Sequence, residues 1–479
     1  MTAPSCCAHG AGEPRNNLEL VVIGAGSAGF AAAIRGAELG ARVMLVGVGT
    51  IGGTCVNVGC VPSKTLIRAV ETLHQADAAA RFAGIRAEAT LGDWREVVAQ
   101  KNALVSELRT SKYVDVLPAY DGVAYLEGEA RLGPDGVRVN GRALACGKIV
   151  VATGASPEPP PIPGLDEVPY LTSTTAMELD RLPASLLVVG GGPVGCELGQ
   201  MFARAGVKVT LLCRSRLLPD GEPEVSERLR ELLAEEGLEV LCGVAYRGLR
   251  RTSTGVALSV ERNGVEEERA AERVLVAAGR RPNTAGLGLK EAGVALDARG
   301  GVRVDDRLKT TNPAIYAAGD VTGRDMHVYM AAYGGRIAAE NALNGDGLRY
   351  DARAMPAVTF TDPQAASVGL IEAAAREQGI EVKTAMLPLS YVPRAIAARD
   401  TRGLVKLVAD GRTDRLVGAH LLAPEAGDSI QTAVLALKGG LTTSELAATL
   451  FPYLTTVEGL KLAAQAFEKD IAKLPCCAG

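Results

Sequence analysis

The sequence predicts an α/β chain of two parallel-sheet units, the second inserted in the first, followed by a C-terminal α+β segment. Three observations predict it. A buried-strand pattern runs into a glycine turn and an alanine-rich helix at residues 19–39, and the same pattern recurs at 186–205. After Asn344 the chain changes to short alternating segments and then helices. The 56 glycines suit a chain with many tight turns.

In the first unit, residues 19–23 read as a buried parallel strand, 24–29 as the turn, and 41–46 as the next strand. A G-x-G-x-x-G turn gains meaning from this strand–turn–helix setting. Gly24, Gly26 and Gly29 permit the tight turn and the close approach of a pyrophosphate to the helix N-terminus. In the second unit Gly190, Gly192 and Gly195 stand between a strand and the helix 196–205, and 207–212 form the next strand. Two such units imply two dinucleotides.

The ends of the second strands set specificity. Arg214 and Arg216 stand where an NAD-binding unit places a ribose-binding acid. Arginines there favour the 2′-phosphate of NADP through charge-assisted hydrogen bonds; a solvated basic turn is the plainer alternative. In the first unit Gly47 occupies the acid's place, so a backbone contact or another side chain must substitute, or the ribose is held less tightly.

Segments 149–154 and 274–280 read as strands leaving a nucleotide unit, with Thr153, Gly154 and Gly279 at their ends. Segment 311–320 is an apolar strand ending in Gly-Asp. Asp320 is either the N-cap of a helix beginning near His327 or an acceptor for a flavin ribityl chain. A helix starting around Val328 would point its positive end at the flavin ring and favour its anionic reduced form. Beyond Asn344, segments 357–361, 384–389 and 403–408 suggest an antiparallel sheet, with helices at 428–438, 443–448 and 457–471.

Two cysteine pairs carry the chemistry. Cys55 and Cys60, in GGTCVNVGCVPSK, have a spacing that suits a reversible disulfide at the mouth of a helix. Val61–Pro62 marks the helix start, so its dipole favours the Cys60 thiolate as the sulfur nearer a flavin, with Cys55 the exchanging sulfur. Cys476 and Cys477 are adjacent. Their α-carbons lie about 3.8 Å apart, closer than disulfides normally span, so they remain two thiols suited to a soft metal ion. Cys146, Cys196, Cys213 and Cys242, scattered among apolar residues, read as small buried hydrophobes. Lys64 and Glu197 are placed to form an ion pair near the reacting edge of the flavin, or to serve as structural caps.

Composition narrows the classes. Charges of both signs are interspersed to a net −4 without basic blocks, which argues against nucleic acid as a partner. No apolar run reaches the length of about 18 residues that a membrane span needs. Residues 1–17 lack the apolar core of a secretory signal and read as a disordered stub, in which Cys6 and Cys7 are incidental or a weak metal pair. Ten cysteines in so long a chain suit a cytoplasmic protein that uses some of them chemically.

With GGTCVNVGCVPSK, two nucleotide turns and the Gly-Asp motif, the chain resembles the flavoprotein disulfide reductases over essentially its full length. Within them it is similar to the mercuric reductase family, through the terminal CCAG, Tyr113 in SKYVD, and the segment 451–458. Relatives acting on glutathione, lipoamide or thioredoxin carry a histidine with a glutamate five residues on. Here the pair is Tyr453 and Glu458, and a tyrosine is a poor base near neutral pH.

The resemblance implies FAD on Gly24, Gly26, Gly29, Gly49, Thr54, Lys64, Ala130, Thr153, Gly154, Asp320 and Val328. It implies NADPH on Gly190, Gly192, Gly195, Glu197, Arg214, Arg216 and Gly279. Hg(II) is the implied substrate, held by Cys55, Cys60, Cys476 and Cys477, with Tyr113 and Tyr453 bordering it or serving as packing aromatics. A homodimer is implied, the tail of one subunit serving the dithiol of the other. The expected division is 18–170 with 275–344 for FAD, 171–274 for NADPH and 345–479 for dimerisation. The competing expectations are an NADPH-dependent disulfide reductase of the thioredoxin or lipoamide type, and a metal sequestrant without catalysis.

Overall fold

The computed structural model describes residues 18–473; Cys6, Cys7, Cys476 and Cys477 lie outside the described residues. These residues form two compact units, each assembled from three stretches of chain. One gathers 18–57, 107–156 and 281–350, the other 58–106, 157–280 and 351–473.

The first unit is built on a fully parallel sheet in the order Ile315–Ala317, Cys146–Val151, Leu18–Ile23, Val43–Gly47, Val123–Glu127. Leu20, Val21 and Val22 are completely buried. A strand covered on both faces needs a continuous apolar run, which is why this segment shows no alternation. Helices Ser27–Glu38 and Val328–Asn344 pack on one another and on this sheet. Gly335 allows their closeness, since a β-carbon there would lie 2.1 Å from the Ala28 carbonyl oxygen. A small antiparallel sheet, Ala130–Gly133, Gly136–Val139 and Arg142–Leu144, completes the unit.

The second unit holds a parallel sheet in the order Glu239–Cys242, Lys208–Cys213, Ser185–Val189, Arg273–Val276. Leu186, Leu187 and Val188 are completely buried, each worth about 1.5–3 kcal/mol for removal from water. An antiparallel sheet of Ala245–Thr252, Gly255–Arg262 and Val265–Ala271 is inserted in the chain between its strands Glu239–Cys242 and Arg273–Val276. The C-terminal stretch forms a five-stranded antiparallel sheet in the order Pro356–Thr359, Gln364–Gly369, Leu416–Ala423, Leu404–Asp410, Val382–Pro388. Helices Ala426–Gly439 and Glu458–Gln465 pack on it.

Two details depart from the sequence expectation. The last helix ends at Gln465 rather than 471, because the chain tightens there into shorter bonds such as Glu468 N–H to Gln465 O at 3.1 Å. Two of the five strands, Gln364–Gly369 and Leu416–Ala423, fall outside the expected segments; both are largely buried runs with little alternation.

One buried charge cluster ties this unit together. Lys406, in the middle of an otherwise apolar strand, reaches Glu222 at 3.0 Å, Glu224 at 2.8 Å and Glu372 at 3.0 Å. Burial alone would lower the ammonium's pKa, but these carboxylates outweigh it and hold it above its ordinary value. No helix among the described residues is long and apolar enough to cross a membrane.

Candidate active site and cofactor cradles

Gly52 and Gly53, at φ of 100° and 68°, turn the chain into the short helix Gly53–Val58 that carries Thr54 and Cys55. The Asn57 amide staples this turn, donating to Ile51 O and Gly53 O at 2.9 Å each. Cys60 is itself the first residue of the 19-residue helix Cys60–Ala78, one residue earlier than Val61–Pro62 suggested. It is exposed, whereas Cys55 is half-buried. Gly59 at the N-cap contributes no side-chain cap, and the positive end of this helix lies at Cys60.

Tyr113 lies in a π-helical turn, Thr110–Val114. Its ring meets Phe30 edge to face at 4.9 Å and lies against Gly52, where a β-carbon would come within 3.2 Å of its Cδ2. It therefore packs beside the Cys55 turn. Tyr453 is 49 % exposed, on a turn where Leu454 adopts a φ of 60°. Glu458, which opens the helix Glu458–Gln465, is buried; its Oε2 lacks a hydrogen-bond partner among the described residues, and burial pushes its pKa up.

Lys64 and Glu197 do meet. Lys64 Nζ donates to Glu197 Oε2 at 2.6 Å, and the Phe360 N–H donates to Glu197 Oε1 at 2.8 Å. The ammonium also sits 4.6 Å from the Phe360 ring centroid. Phe360 is a member of this arrangement that sequence reasoning missed, because only the fold brings its amide and its ring to the pair.

The first glycine turn fits a dinucleotide. A β-carbon at Gly24 (φ 117°) would fall 2.2 Å from Ala152 O, and one at Gly29 would fall 1.7 Å from Gly24 O. Gly26 caps the helix Ser27–Glu38 without a side chain, leaving its first-turn amides to a phosphate. Thr153 and Gly154 are held by Asn283, unnoticed in the sequence: its Nδ2 donates to Thr153 O and its N–H to Gly154 O, both at 2.9 Å. Gly49 (φ 71°) faces open space, and Ala130 begins its strand. Asp320 opens a short 3-10 turn rather than capping the later helix, which starts at Val328 after His327 with no side-chain cap.

The structure also accounts for Gly47. A β-carbon there would lie 2.8 Å from both the Tyr125 hydroxyl and Ala25 Cβ. Tyr125 sits diagonally across from Gly47, whose direct partner on the neighbouring strand is Glu127. Burial, then the Glu127 carboxylate, raise the Tyr125 pKa. The signal was present in the sequence only as a tyrosine in an alternating segment.

The second cradle repeats the pattern. Gly190 (φ 122°) abuts Ala277 O, and a β-carbon at Gly195 would lie 1.9 Å from Gly190 O. Gly192, the N-cap of helix Pro193–Arg204, has no side-chain cap and faces open space. Arg214, Gly279 and Tyr246 line the same cleft. Arg216 also lines it, but its guanidinium is turned to the Pro219 and Gly221 carbonyls at 2.7 and 2.6 Å, where it shapes the loop. Arg214 is exposed.

Residues 18–335 match the family model described as pyridine nucleotide-disulphide oxidoreductase, and 355–464 match its dimerisation domain. The chain is 48 % identical over 474 residues to the mercuric reductase of Streptomyces lividans, covering 98 % of this chain and 100 % of that protein. It is 46 % identical over 469 residues to that of Bacillus cereus, covering 98 % of this chain and 74 % of the relative. Among solved structures it is similar to the HOCl-induced flavoprotein disulfide reductase RclA from Escherichia coli, with a TM-score of 0.81, 31 % identity, and 93 % and 99 % of the two chains covered. With both cradles and the Cys55–Cys60 segment in place, the chain belongs to the pyridine nucleotide-disulphide oxidoreductase family and, within it, to the mercuric reductases.

Proposed function

We propose that this chain catalyses the reduction of thiol-bound Hg(II) to Hg(0) by NADPH, releasing NADP⁺, a proton and the two thiolates that held the metal. The observation that carries the reading is Cys60, exposed at the uncapped start of a long helix, with Cys55 in the helix just before it. Such a site favours thiolates, the form that grips a soft cation. Bound NADPH and FAD supply the electron pair.

The roles of the chain's own residues follow. The uncapped helix at Gly26 receives the FAD pyrophosphate, and the one at Gly192 that of NADPH. Asp320 accepts from the ribityl chain, and the helix starting at Val328 directs its positive end at the flavin ring. The Tyr125 hydroxyl replaces the acid missing at 47 and is offered to the FAD ribose. Arg214 meets the 2′-phosphate. Lys64, fixed by Glu197, stands at the reacting edge.

Cys476 and Cys477 take Hg(II) from small thiols by thiolate exchange and pass it to Cys55 and Cys60, with Tyr113 and Tyr453 at the border of that site. No disulfide substrate is cleaved, so no leaving thiol has to be protonated, and the exposed Tyr453 suffices where relatives use an imidazole. The functional division is 18–170 with 275–344 for FAD, 171–274 for NADPH and 345–479 for the interface of a cytoplasmic homodimer, in which one tail serves the partner's dithiol.

The deciding measurement is anaerobic NADPH oxidation by the FAD-loaded protein with Hg(II) and excess small thiol, with capture of mercury vapour. Vapour in step with NADPH consumption is expected. NADPH oxidation with a disulfide substrate and none with Hg(II) would replace this reading with a disulfide reductase.

A further inference from the structure

The two nucleotide-side cysteines that read as inert in the sequence are in contact. Cys213 ends the strand Lys208–Cys213, and Cys242 ends the neighbouring parallel strand Glu239–Cys242. They are register partners, so their side chains leave the sheet on the same face. The Cys213 thiol donates to Cys242 Sγ at 3.3 Å. We propose that Cys213 and Cys242 are a second oxidisable thiol pair, which closes to a disulfide beside the second glycine turn and loosens that cradle's hold on NADPH.

The geometry needs little change. Neighbouring strands lie about 4.7–4.9 Å apart, within the α-carbon separations disulfides span. Closing to a bond of about 2.05 Å moves the sulfurs together by roughly 1 Å. The two thiols are also unequal. Cys242 is half-buried, and the Cys213 thiol, then Arg230 and the Leu217 amide, bring its pKa down to about 7 despite burial. Cys213 is buried, and its pKa is pushed up, first by its bond to Cys242 and then by desolvation. Cys242 is thus the nucleophile and Cys213 the resolving thiol.

With a small-molecule disulfide as oxidant, the Cys242 thiolate attacks one sulfur and expels a small thiolate. That thiolate takes the Cys213 proton. Cys213 then attacks the Cys242 sulfur of the mixed disulfide and expels the second small thiolate, which takes up a proton from solvent, balancing the one Cys242 gave up. Two protein thiols and one small disulfide become one protein disulfide and two small thiols.

Closure reaches the cradle through Gly191. A β-carbon there would lie 2.7 Å from Cys213 Cβ and 3.0 Å from its Sγ, so the Cys213 side chain is the wall against which the glycine turn rests. The Cys196 thiol holds the other side, donating to Gly191 O at 3.5 Å. Drawing Cys213 toward Cys242 withdraws that wall and tilts the strand end that presents Arg214. This consequence rests on the assignment of NADPH to the Gly190–Gly195 turn; the bridge itself does not.

The test treats the reduced, FAD-loaded full chain with glutathione disulfide, blocks remaining thiols by alkylation, and maps the peptides by mass spectrometry. NADP⁺ binding, which involves no turnover, is measured in parallel by equilibrium dialysis. A peptide pair bridged through Cys213 and Cys242 is expected, with NADP⁺ affinity several-fold weaker and restored by dithiothreitol. In Cys242→Ser, or in Cys213→Ala should the first not fold, the oxidant should no longer change NADP⁺ affinity. Alkylation of both thiols after oxidant, a mixed disulfide only, or a bridged protein that binds NADP⁺ as tightly as the reduced one would overturn the proposal. If the reduced protein fails to bind NADP⁺, the cradle assignment and the proposed loosening fall together, while the peptide map still decides whether the bridge forms.

Discussion

Glu197 accepts from Lys64 Nζ at 2.6 Å with one oxygen while its other oxygen holds the Phe360 backbone amide. Glu197 itself is buried, so both its lone-pair partners and its charge are committed. Glu197→Gln keeps an acceptor for Phe360 but strips the ammonium of its counter-charge. Reduction of bound flavin by NADPH should slow about tenfold, a barrier increase of about 1.4 kcal/mol, with little change in melting temperature. Stopped-flow absorbance under anaerobic conditions reads the step directly; an unchanged rate would reduce the pair to a structural clip.

The space at residue 47 is already taken by Tyr125. Tyr125→Phe should weaken FAD binding to the apoprotein about fivefold, the worth of roughly one hydrogen bond, measured by flavin fluorescence quenching. Gly47→Glu should fold poorly alone and recover when combined with Tyr125→Val. Equal FAD affinity in the wild type and Tyr125→Phe would remove the tyrosine from the ribose site.

Replacing Tyr453 by histidine puts an imidazole five residues ahead of the buried Glu458 carboxyl. Measurable reduction of a small-molecule disulfide should appear, while Hg(II) turnover stays the same or falls. Assays with both substrates on one preparation decide it. If disulfide reduction does not rise, the absent imidazole is not what sets substrate class.

Buried Lys406 balances buried Glu222 and the partly exposed Glu224 and Glu372. Lys406→Met leaves buried Glu222 without its counter-ion and should cost about 3–5 kcal/mol. Replacing Lys406 and Glu222 together by apolar residues of similar size should restore part of the loss. Denaturant titration of the FAD-loaded protein distinguishes the two outcomes; a Lys406→Met loss below about 1 kcal/mol, the level of a surface pair, would contradict the cluster's structural role.

His420 is buried beside this cluster, with its Nε2 3.0 Å from Leu370 O. Burial, outweighing the attraction of Glu222 and Glu224, lowers its pKa, and burial also lowers that of His74. The unfolded chain therefore takes up protons below about pH 6.5 that the folded chain refuses. Stability is retained above that pH and is lost as pH falls through it toward the lower folded values. A melting temperature flat from about pH 7.5 to 5.5 would refute this; a downward slope, reduced in His420→Gln, is expected.

The sequence by itself determined the two strand–turn–helix cradles, the Cys55–Cys60 segment and three of the five strands of the antiparallel C-terminal sheet. Each is written in local terms: contiguous apolar runs, glycines at left-handed positions, and cysteines at the start of a helix. Gly47 could only be noted as a missing acid. Tertiary structure decided its meaning, because a strand 76 residues away along the chain brings Tyr125 into the space a side chain at 47 would need. The same holds for Asn283 clamping Thr153 and Gly154, for the Phe360 amide on Glu197, and for Arg216, whose charge looked like a phosphate ligand until its loop carbonyls came within reach. Cys213 and Cys242 are 29 positions apart and look like ordinary core residues. Only strand register sets their sulfurs in contact, since pairing in a sheet depends on how distant segments align and not on what either segment contains.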